Sequence, residues 1–454
     1  MTTANSESEM PVSAAELYAW HGRPGAFSRL TPPWERAELI HSSGPWAEGT
    51  RWTIRTKILG PLKLNWIAEH HSFIQGRQFC DRQIHGPFAE WNHTHRFVPV
   101  GDSSRLEDNV EYQLPFGPVS FQMRSMIRRK LEIMFAYRHR VTAEDLRRHQ
   151  QFQHAPRLTV AITGSRGLIG TQLTSFLTSG GHRVIRFISG SFTRPSFDDG
   201  TEWRAWNPKE PLPPGEFDGV DAVINLAGDN IASGRWTTAK KAKLRESRVI
   251  PTRHLATAVT RDRVPTFLSG SALGIYGNRG DEVLNEDNTT GTGFLAELAK
   301  KWEESAKAEG RVVTLRTGIV LSPQGGALAK QLLPFRLGGG AVLGNGNQFL
   351  PWIDLQDIVY TIHHALLTPT LFGPVNLCVP QAVTNREFSR TLARVLNRPL
   401  LLTVPGFALR LLFGEMAEEA LLASMNAVPA KLLASGFTFA QPTLETSLRT
   451  MLGK

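Results

Sequence analysis

Along the first 150 residues, apolar positions recur every second residue. Trp52, Ile54 and Ile58 alternate with Arg51, Arg55 and Lys57, and after the Gly60-Pro61 turn Leu62, Leu64, Trp66 and Ala68 repeat the period. Trp91, His93, His95 and Phe97 then share a face, as do Val110, Tyr112 and Leu114. Successive side chains of a strand point to opposite sides of its sheet, so this period predicts strands with one buried face. Met123, Met126, Ile127, Leu131, Met134 and Phe135 follow at helical spacing and predict a helix that closes an antiparallel sheet. The polar stretch 147–156 has no period, ends at Pro156 and reads as a linker. From Arg157 the texture changes. Apolar runs at 158–163, 184–188, 220–226, 266–268 and 312–315 are separated by stretches long enough for crossover helices. That order predicts a doubly wound parallel sheet. Beyond Thr384, a helical segment containing Pro399, Pro405 and Pro429 reads as an appendage to it.

The run 158–163 leads straight into Gly164-Ser-Arg-Gly167-Leu-Ile-Gly170, and Ile169, Leu173, Phe176 and Leu177 then follow at i, i+4, i+7 and i+8. Strand, glycine turn and helix therefore occur in the order that a dinucleotide site requires. Glycine is needed because backbone amides must approach a pyrophosphate without a Cβ in the way, and the helix N-terminus adds donors and positive potential. Gly164, Ser165, Arg166, Gly167, Leu168, Ile169 and Gly170 are the candidate cofactor-binding residues. An NAD site usually presents a carboxylate at the end of the second strand. Here 187–191 carries none and the first acid is Asp198, whereas Arg166, Arg186 and Arg194 lie nearby and Ser189 offers a hydroxyl. The expectation is NADP(H) over NAD(H), because hydrogen bonds to a charged 2′-phosphate contribute about 1.5–3 kcal/mol each.

Composition narrows the picture. The 454 residues are 41% apolar and 20% charged, a globular balance that excludes a disordered or fibrous chain. A net charge of +10 favours acidic ligands such as nucleotides. The basic residues are dispersed among acids, outside any nucleic-acid reader motif, so no specific nucleic-acid partner is expected. Two cysteines, Cys80 and Cys378, make neither a disulfide framework nor a cysteine metal site and suit a reducing compartment. The start lacks the basic and apolar regions of a secretory signal, and no apolar run is long enough to span a membrane; a cytoplasmic protein is expected.

The glycine loop, Asn225-Leu-Ala-Gly228, the segment from Ser269 to Gly277 and the segment from Phe349 to Asp357 together resemble the extended short-chain dehydrogenase/reductase superfamily. More closely, the chain is similar to an atypical, epimerase-like group of nucleoside-diphosphate-sugar epimerases. Further marks of that group are Arg235-Trp236, Ser247-Arg248, Lys301-Trp302-Glu303, the glycine-rich 338–346, Val404-Pro405 and Gly436-Phe-Thr-Phe. The resemblance covers about residues 157 to 450. It implies an NADP-binding Rossmann domain in which Leu226 and Ala227 line the adenosine side, with Arg248 and Val320 also near the cofactor. Where relatives often carry Ser-Arg after the second strand, this chain has Ser189-Gly190, so the 2′-phosphate must be held by other arginines, with Arg194 a candidate. The first 150 residues resemble the START-like (SRPBCC, helix-grip) ligand-binding superfamily, including the stretches Trp20 to Gly25 and Leu30 to Trp34. That likeness implies an α+β fold, a sheet wrapped around a long helix, with a cavity for an apolar ligand. His93 and His95 are read as packed or cavity-lining residues, and no metal site is expected.

The superfamily uses a tyrosine as proton donor or acceptor, tuned by a lysine four residues later, with a serine or threonine orienting the substrate. At the matching helix this chain carries Phe294 and Leu298, neither of which transfers a proton. Lys300 and Lys301 are rotated from the lysine position by about 200° and 300° and do not replace it. Ser271 and Tyr276 are the remaining catalytic candidates, and Gln348, Trp352 and Asp357 fall where relatives put substrate-facing residues; Asp357 is read equally as a structural acid. The expected organisation is 10–148 ligand-binding, 149–156 linker, 157–383 Rossmann with substrate-side insertions and 384–450 a helical C-terminal segment. Two functions compete: an NADP(H)-dependent oxidoreductase or epimerase acting on a small carbonyl, hydroxyl or sugar-like substrate, and a non-catalytic protein that senses NADP(H) and an apolar ligand.

Overall fold

A computed structural model describes residues 1–35, 37–57, 63–115 and 121–454, without the side chains of residues 121 and 122. The expected features at Ile58, Gly60, Pro61 and Leu62 lie outside the described residues. The N-terminal sheet has seven antiparallel strands: β1 (Thr2–Met10), β2 (Glu38–Ser42), β3 (Arg51–Lys57), β4 (Lys63–Ile74), β5 (Gln78–His85), β6 (Glu90–Val100) and β7 (Ser103–Gln113). Their order is β1-β7-β6-β5-β4-β3-β2, so β1 crosses to pair with the last strand. The sheet thus begins at Thr2, ahead of the boundary expected at residue 10. The first ten residues alternate half-buried and exposed positions, a pattern their polar composition hid from a hydropathy reading.

Two short helices, α1 (Ala14–Gly22) and α2 (Ala26–Leu30), follow β1, and the long α3 (Phe121–Gln151) closes the sheet. Ile127, Leu131, Met134 and Phe135 of α3 pack on Trp91, Val110 and Tyr112 as the spacing predicts. Met123 and Met126 were expected on that same face but are about half exposed, because they lie ahead of the turns that meet the sheet. α3 continues through Arg147, Arg148 and His149, so the expected linker is helical for its first half.

The second sheet is parallel: β8 (Thr159–Thr163), β9 (Arg183–Ser189), β10 (Thr201–Trp206), β11 (Ala222–Asn225), β12 (Thr266–Ala272), β13 (Arg311–Thr317) and β14 (Gly373–Leu377). The order β10-β9-β8-β11-β12-β13-β14 places β8 and β11 side by side where the winding reverses, the position at which doubly wound sheets bind ligands. β10 and β14 escaped the sequence reading because polar residues interrupt both. On one face lie α4 (Leu168–Ser179) and α8 (Leu355–Leu367), whose Leu173, Phe176, Ile358 and Ile362 bury against Val160, Ile162 and Leu315. Each such side chain, fully removed from water, contributes about 1.5–3 kcal/mol. The other face is covered by α5 (Thr238–Arg261) and α6 (Phe294–Ser305). α7 (Gly326–Arg336) packs with α9 (Asn385–Leu396), the first helix of the C-terminal segment, which continues through α10 (Gly406–Phe413), α11 (Ala430–Ala434) and α12 (Leu444–Leu452).

The two sheets meet through α2 and α3 on one side and α4 and α8 on the other. Arg29 is wholly buried and makes two bonds to Asp145, Nε to Oδ2 at 2.8 Å and Nη2 to Oδ1 at 2.7 Å. The Tyr360 hydroxyl of α8 donates to Asp145 at 2.7 Å, and Arg29 also donates to Gln172 of α4 at 3.1 Å. Among the described residues no helix is long and apolar enough to cross a membrane.

Candidate functional site

β8 ends at Thr163, and the chain turns at Gly164 with φ of +67°. A Cβ at Gly164 would stand 2.6 Å from the Leu226 carbonyl, and one at Gly170 only 2.3 Å from the Gly164 oxygen. Both glycines are therefore required by close backbone approach. Gly167 caps α4 in extended conformation and no side chain bonds to the cap, which leaves first-turn N–H groups and the positive helix end facing outward. Arg166 and Gly167 are exposed, Leu168 and Ile169 are half-buried and Ser165 is buried. Leu168, Leu226 and Val320 pack on the same core, so the structure gathers these three expected residues around the loop. Ala227 follows directly, its N–H bonded to Asn225 Oδ1 at 3.2 Å. The cradle fits a dinucleotide pyrophosphate: open amides, no Cβ and an uncapped helix.

Past the end of β9, the Arg166 guanidinium donates to the Ser189 carbonyl at 3.0 Å, and both residues are exposed. Arg194, also exposed, donates to the Trp203 carbonyl at 3.1 Å. Arg186 is committed elsewhere: it pairs with Asp199 at 3.1 Å, bonds Ser165 and lies 4.4 Å over the Trp203 ring. Of the nearest acids Asp199 is spent and Asp198 is exposed. Asp199 accepts from Arg186, Thr201 and Trp203, and Asp198 accepts the Gly200 N–H at 2.8 Å. Two exposed cations, beside an internally bonded Asp199 and a single exposed acid, Asp198, make this end better suited to a phosphate than to ribose hydroxyls.

Arg248 holds the segment that follows Asn225-Leu-Ala-Gly228. It donates to the Asp229 carbonyl at 2.9 Å and lies 5.1 Å over Trp302, and burial lowers its pKa to about 10. Beneath the loop, the buried Asn225 accepts from Thr163 Oγ1 at 2.7 Å and donates to Thr252 Oγ1 at 2.8 Å, which in turn accepts from Trp302 Nε1 at 2.9 Å. This brace joins β8, β11, α5 and α6. The Asn225-Leu-Ala-Gly228 and Lys301-Trp302-Glu303 motifs both contribute to it, a role that one-dimensional reading missed.

At the start of α6, Phe294 and Leu298 are buried with Trp236, Leu244 and Met416, and the Phe294 and Trp236 rings lie 5.3 Å apart. The Glu419 carboxylate, from the C-terminal segment, accepts the N–H groups of Phe294 at 2.8 Å and Leu295 at 2.7 Å and caps the helix. The two positions to which the resemblance assigns proton transfer are thus filled with packed hydrocarbon. Ser271 and Tyr276 are brought together, in a buried network. Ser271 Oγ donates to Glu303 at 2.7 Å, and Arg316 clamps the same carboxylate with bonds of 2.8 and 3.0 Å. Arg316 Nη1 donates to the Tyr276 hydroxyl at 2.9 Å, whose own proton lies within reach of the Asn285 carbonyl at 2.8 Å and Asn376 Oδ1 at 2.9 Å. Tyr276 has no exposed surface, and burial raises its pKa. Arg316 and Asn376 were not singled out from sequence, and Glu303 only as part of the Lys301-Trp302-Glu303 motif, because their partners are 13 to 100 residues away.

The three expected substrate-side residues are structural. Gln348 donates to the carbonyls of Leu343 and Leu421, both at 3.1 Å, and Trp352 is 1% exposed. Asp357 accepts the backbone N–H groups of Ala440 and Gln441, pinning the C-terminal segment; burial raises its pKa to about 7.

A doubly wound parallel sheet with a glycine cradle at its switch point defines a protein with an NAD(P)-binding fold of the short-chain dehydrogenase/reductase type, here joined to a START-like domain. Residues 160–377 match the NAD dependent epimerase/dehydratase family, residues 10–135 the polyketide cyclase / dehydrase and lipid transport family, and residues 404–451 a domain of unknown function (DUF1731). Epimerase family protein Mb2239 of Mycobacterium bovis is 44% identical over 298 residues, covering 64% of this chain and 96% of that protein. The crystal structure of a nucleoside-diphosphate sugar epimerase from Corynebacterium glutamicum is similar at 30% identity and a TM-score of 0.79, covering 99% of this chain and 90% of that one. Human epimerase family protein SDR39U1 (isoform 2), solved with NADPH, is 30% identical with a TM-score of 0.59, covering 65% of this chain and 99% of that chain. The chain belongs to the epimerase family, in its atypical short-chain dehydrogenase/reductase group.

Proposed function

We propose that this chain binds NADP(H) across the cradle of Gly164, Gly167 and Gly170, with Arg166, Ser189 and Arg194 around the 2′-phosphate. The carrying observation is the pair of exposed, weakly engaged arginines beyond the glycine cradle, where Asp199 is already bonded internally. The NADPH in the human relative's structure supports the same reading. Isothermal titration tests it. NADPH binds more tightly than NADH, and Arg166→Ala weakens NADPH about 10- to 100-fold while leaving NADH unchanged, the loss of one charge-assisted bond. Equal affinities for both cofactors in the wild type overturn the assignment.

When bound, the cofactor supplies a hydride donor or acceptor for a small carbonyl, hydroxyl or sugar-like compound. The chain's own side chains support a division of labour unlike that of the superfamily. Phe294 and Leu298 exclude water at the start of α6 and move no proton, while Ser271 and Tyr276 hold Glu303, Arg316 and Asn376 in register. Reduction by this protein therefore takes the proton for the carbonyl oxygen from solvent rather than from either of these positions. The second reading, a non-catalytic sensor that couples NADP(H) to an apolar ligand of the N-terminal domain, is favoured by the same apolar replacement. A panel of small carbonyl compounds, followed at the nicotinamide absorbance, separates the two. Turnover that survives Tyr276→Phe supports the reductase, and silence across the panel despite tight NADPH binding supports the sensor.

A further inference from the structure

The interior of the N-terminal domain holds charge that the nucleotide site does not use. Asp81 of β5 and His93 of β6 are direct partners in the antiparallel register, and His95 is turned to the same inward face. Asp81 Oδ2 lies 3.4 Å from His93 Nδ1 and 3.3 Å from His95 Nε2, and one ligand atom from each residue falls within 4.8 Å of the other two. Nitrogen and oxygen ligands about 2.0–2.2 Å from a tetrahedral ion stand roughly 3.4 Å apart, so two of the three edges already have the required length. The far nitrogen of each imidazole turns to a second carboxylate. Asp108 Oδ1 is 3.0 Å from His93 Nε2 and 2.6 Å from His95 Nδ1, while Asp108 Oδ2 accepts from His139 at 2.7 Å. A carboxylate behind a ligating histidine fixes its tautomer and raises its basicity. His70 adds an independent sign. It faces Asp81 across β4 and β5, is 5% exposed, and neither of its ring nitrogens has a hydrogen-bond partner.

We infer that Asp81, His93 and His95 bind a divalent transition-metal ion, with Asp108 as the positioning residue behind both imidazoles. Two histidines and one carboxylate select zinc, cobalt or ferrous ions over magnesium and calcium, which take all-oxygen sets. Asp81, a fifth exposed, gives the ion its way in. A second histidine group, His149, His182 and His363, also has ligand atoms within 4.8 Å of one another but faces Arg157 and Arg148 with no carboxylate among its members, so it repels a cation and serves as an internal control.

The test uses the full chain stripped with a chelator and titrated with Co²⁺, then Zn²⁺, following metal content and the visible ligand-field spectrum of cobalt. One equivalent of Co²⁺ with imidazole-type bands, displaced by Zn²⁺, is expected. Asp81→Asn and His93→Gln lose the equivalent, Asp108→Asn retains it with about 10- to 100-fold weaker affinity, and His182→Gln leaves it unchanged. NADPH affinity is the same in all four, which keeps this outcome separate from the nucleotide assignment. Wild-type protein that takes up neither ion at micromolar concentration overturns the inference and leaves a hydrogen-bonded charge network. An equivalent that persists undiminished in folded Asp81→Asn and His93→Gln overturns it as well. Should those two variants fail to fold, the wild-type stoichiometry and cobalt spectrum alone decide.

Discussion

Gly170 and Glu303 illustrate how single residues divide the work of the nucleotide domain. At Gly170 the backbone of the loop passes within 2.3 Å of where a Cβ would stand. Gly170→Ala therefore displaces the Gly164 carbonyl and misaims the amides beside it, and NADPH binding measured by titration falls tenfold or more, about 1.4 kcal/mol. Glu303 acts on the other side of the sheet, where its carboxylate is the shared acceptor of Ser271 and Arg316. Removing one member of a mostly buried ion pair leaves its partner uncompensated. Glu303→Leu is expected to lower unfolding stability by about 3 kcal/mol in denaturant melts, because Arg316 and the Tyr276 hydroxyl lose their anchor. The conservative Glu303→Gln keeps the shape, drops the charge and recovers part of that loss.

Among the elements, those with strong periodicity were legible from sequence and those defined by a distant partner were not. The glycine loop declared itself because strand, turn and helix are contiguous, with Gly164 to Gly167 in the turn and Leu168 to Gly170 in the first turn of α4. β1 and β10 were hidden by their polar residues, since an edge strand is recognised by what it pairs with. The helical spacing of 123–135 gave α3 its direction but not its length, because the last turns are held by residues of α4 and α8 rather than by their own pattern. Those turns make a pH prediction. Burial lowers the pKa of His182 and His364 to about 4, and burial with neighbouring cations holds His149 and His363 well below the usual range. Folding keeps all four neutral, while the unfolded chain protonates near pH 6.5. The unfolded state then binds more protons, so stability falls as pH drops below about 6.5, by roughly 1.4 kcal/mol per unit for each of His182 and His364 down to about pH 4, with His149 and His363 acting in the same direction. Thermal melts between pH 7.5 and pH 4.5 check this, and His182→Gln flattens the slope.

For the molecule as a whole, the N-terminal and nucleotide domains are joined by a dry interface rather than by a tether. Arg29, Asp145 and Tyr360 form a triad across it with no exposed charge. Asp145→Asn strands the Arg29 guanidinium and costs about 3–5 kcal/mol. Calorimetry of the wild type is expected to give one transition, and the variant two, as the halves melt separately.

The helix that offers its N-terminus to the cofactor also serves as the N-terminal domain's seat. Gly25 approaches the Ser175 carbonyl too closely for any side chain, and His149 stacks on Phe176 at 4.3 Å. A fragment trimmed to the residues shared with shorter relatives would bare one face of the Phe176 ring, while the serine and threonine hydroxyls beside it would simply be hydrated. Anyone wishing to crystallise that half alone must first repaint this surface.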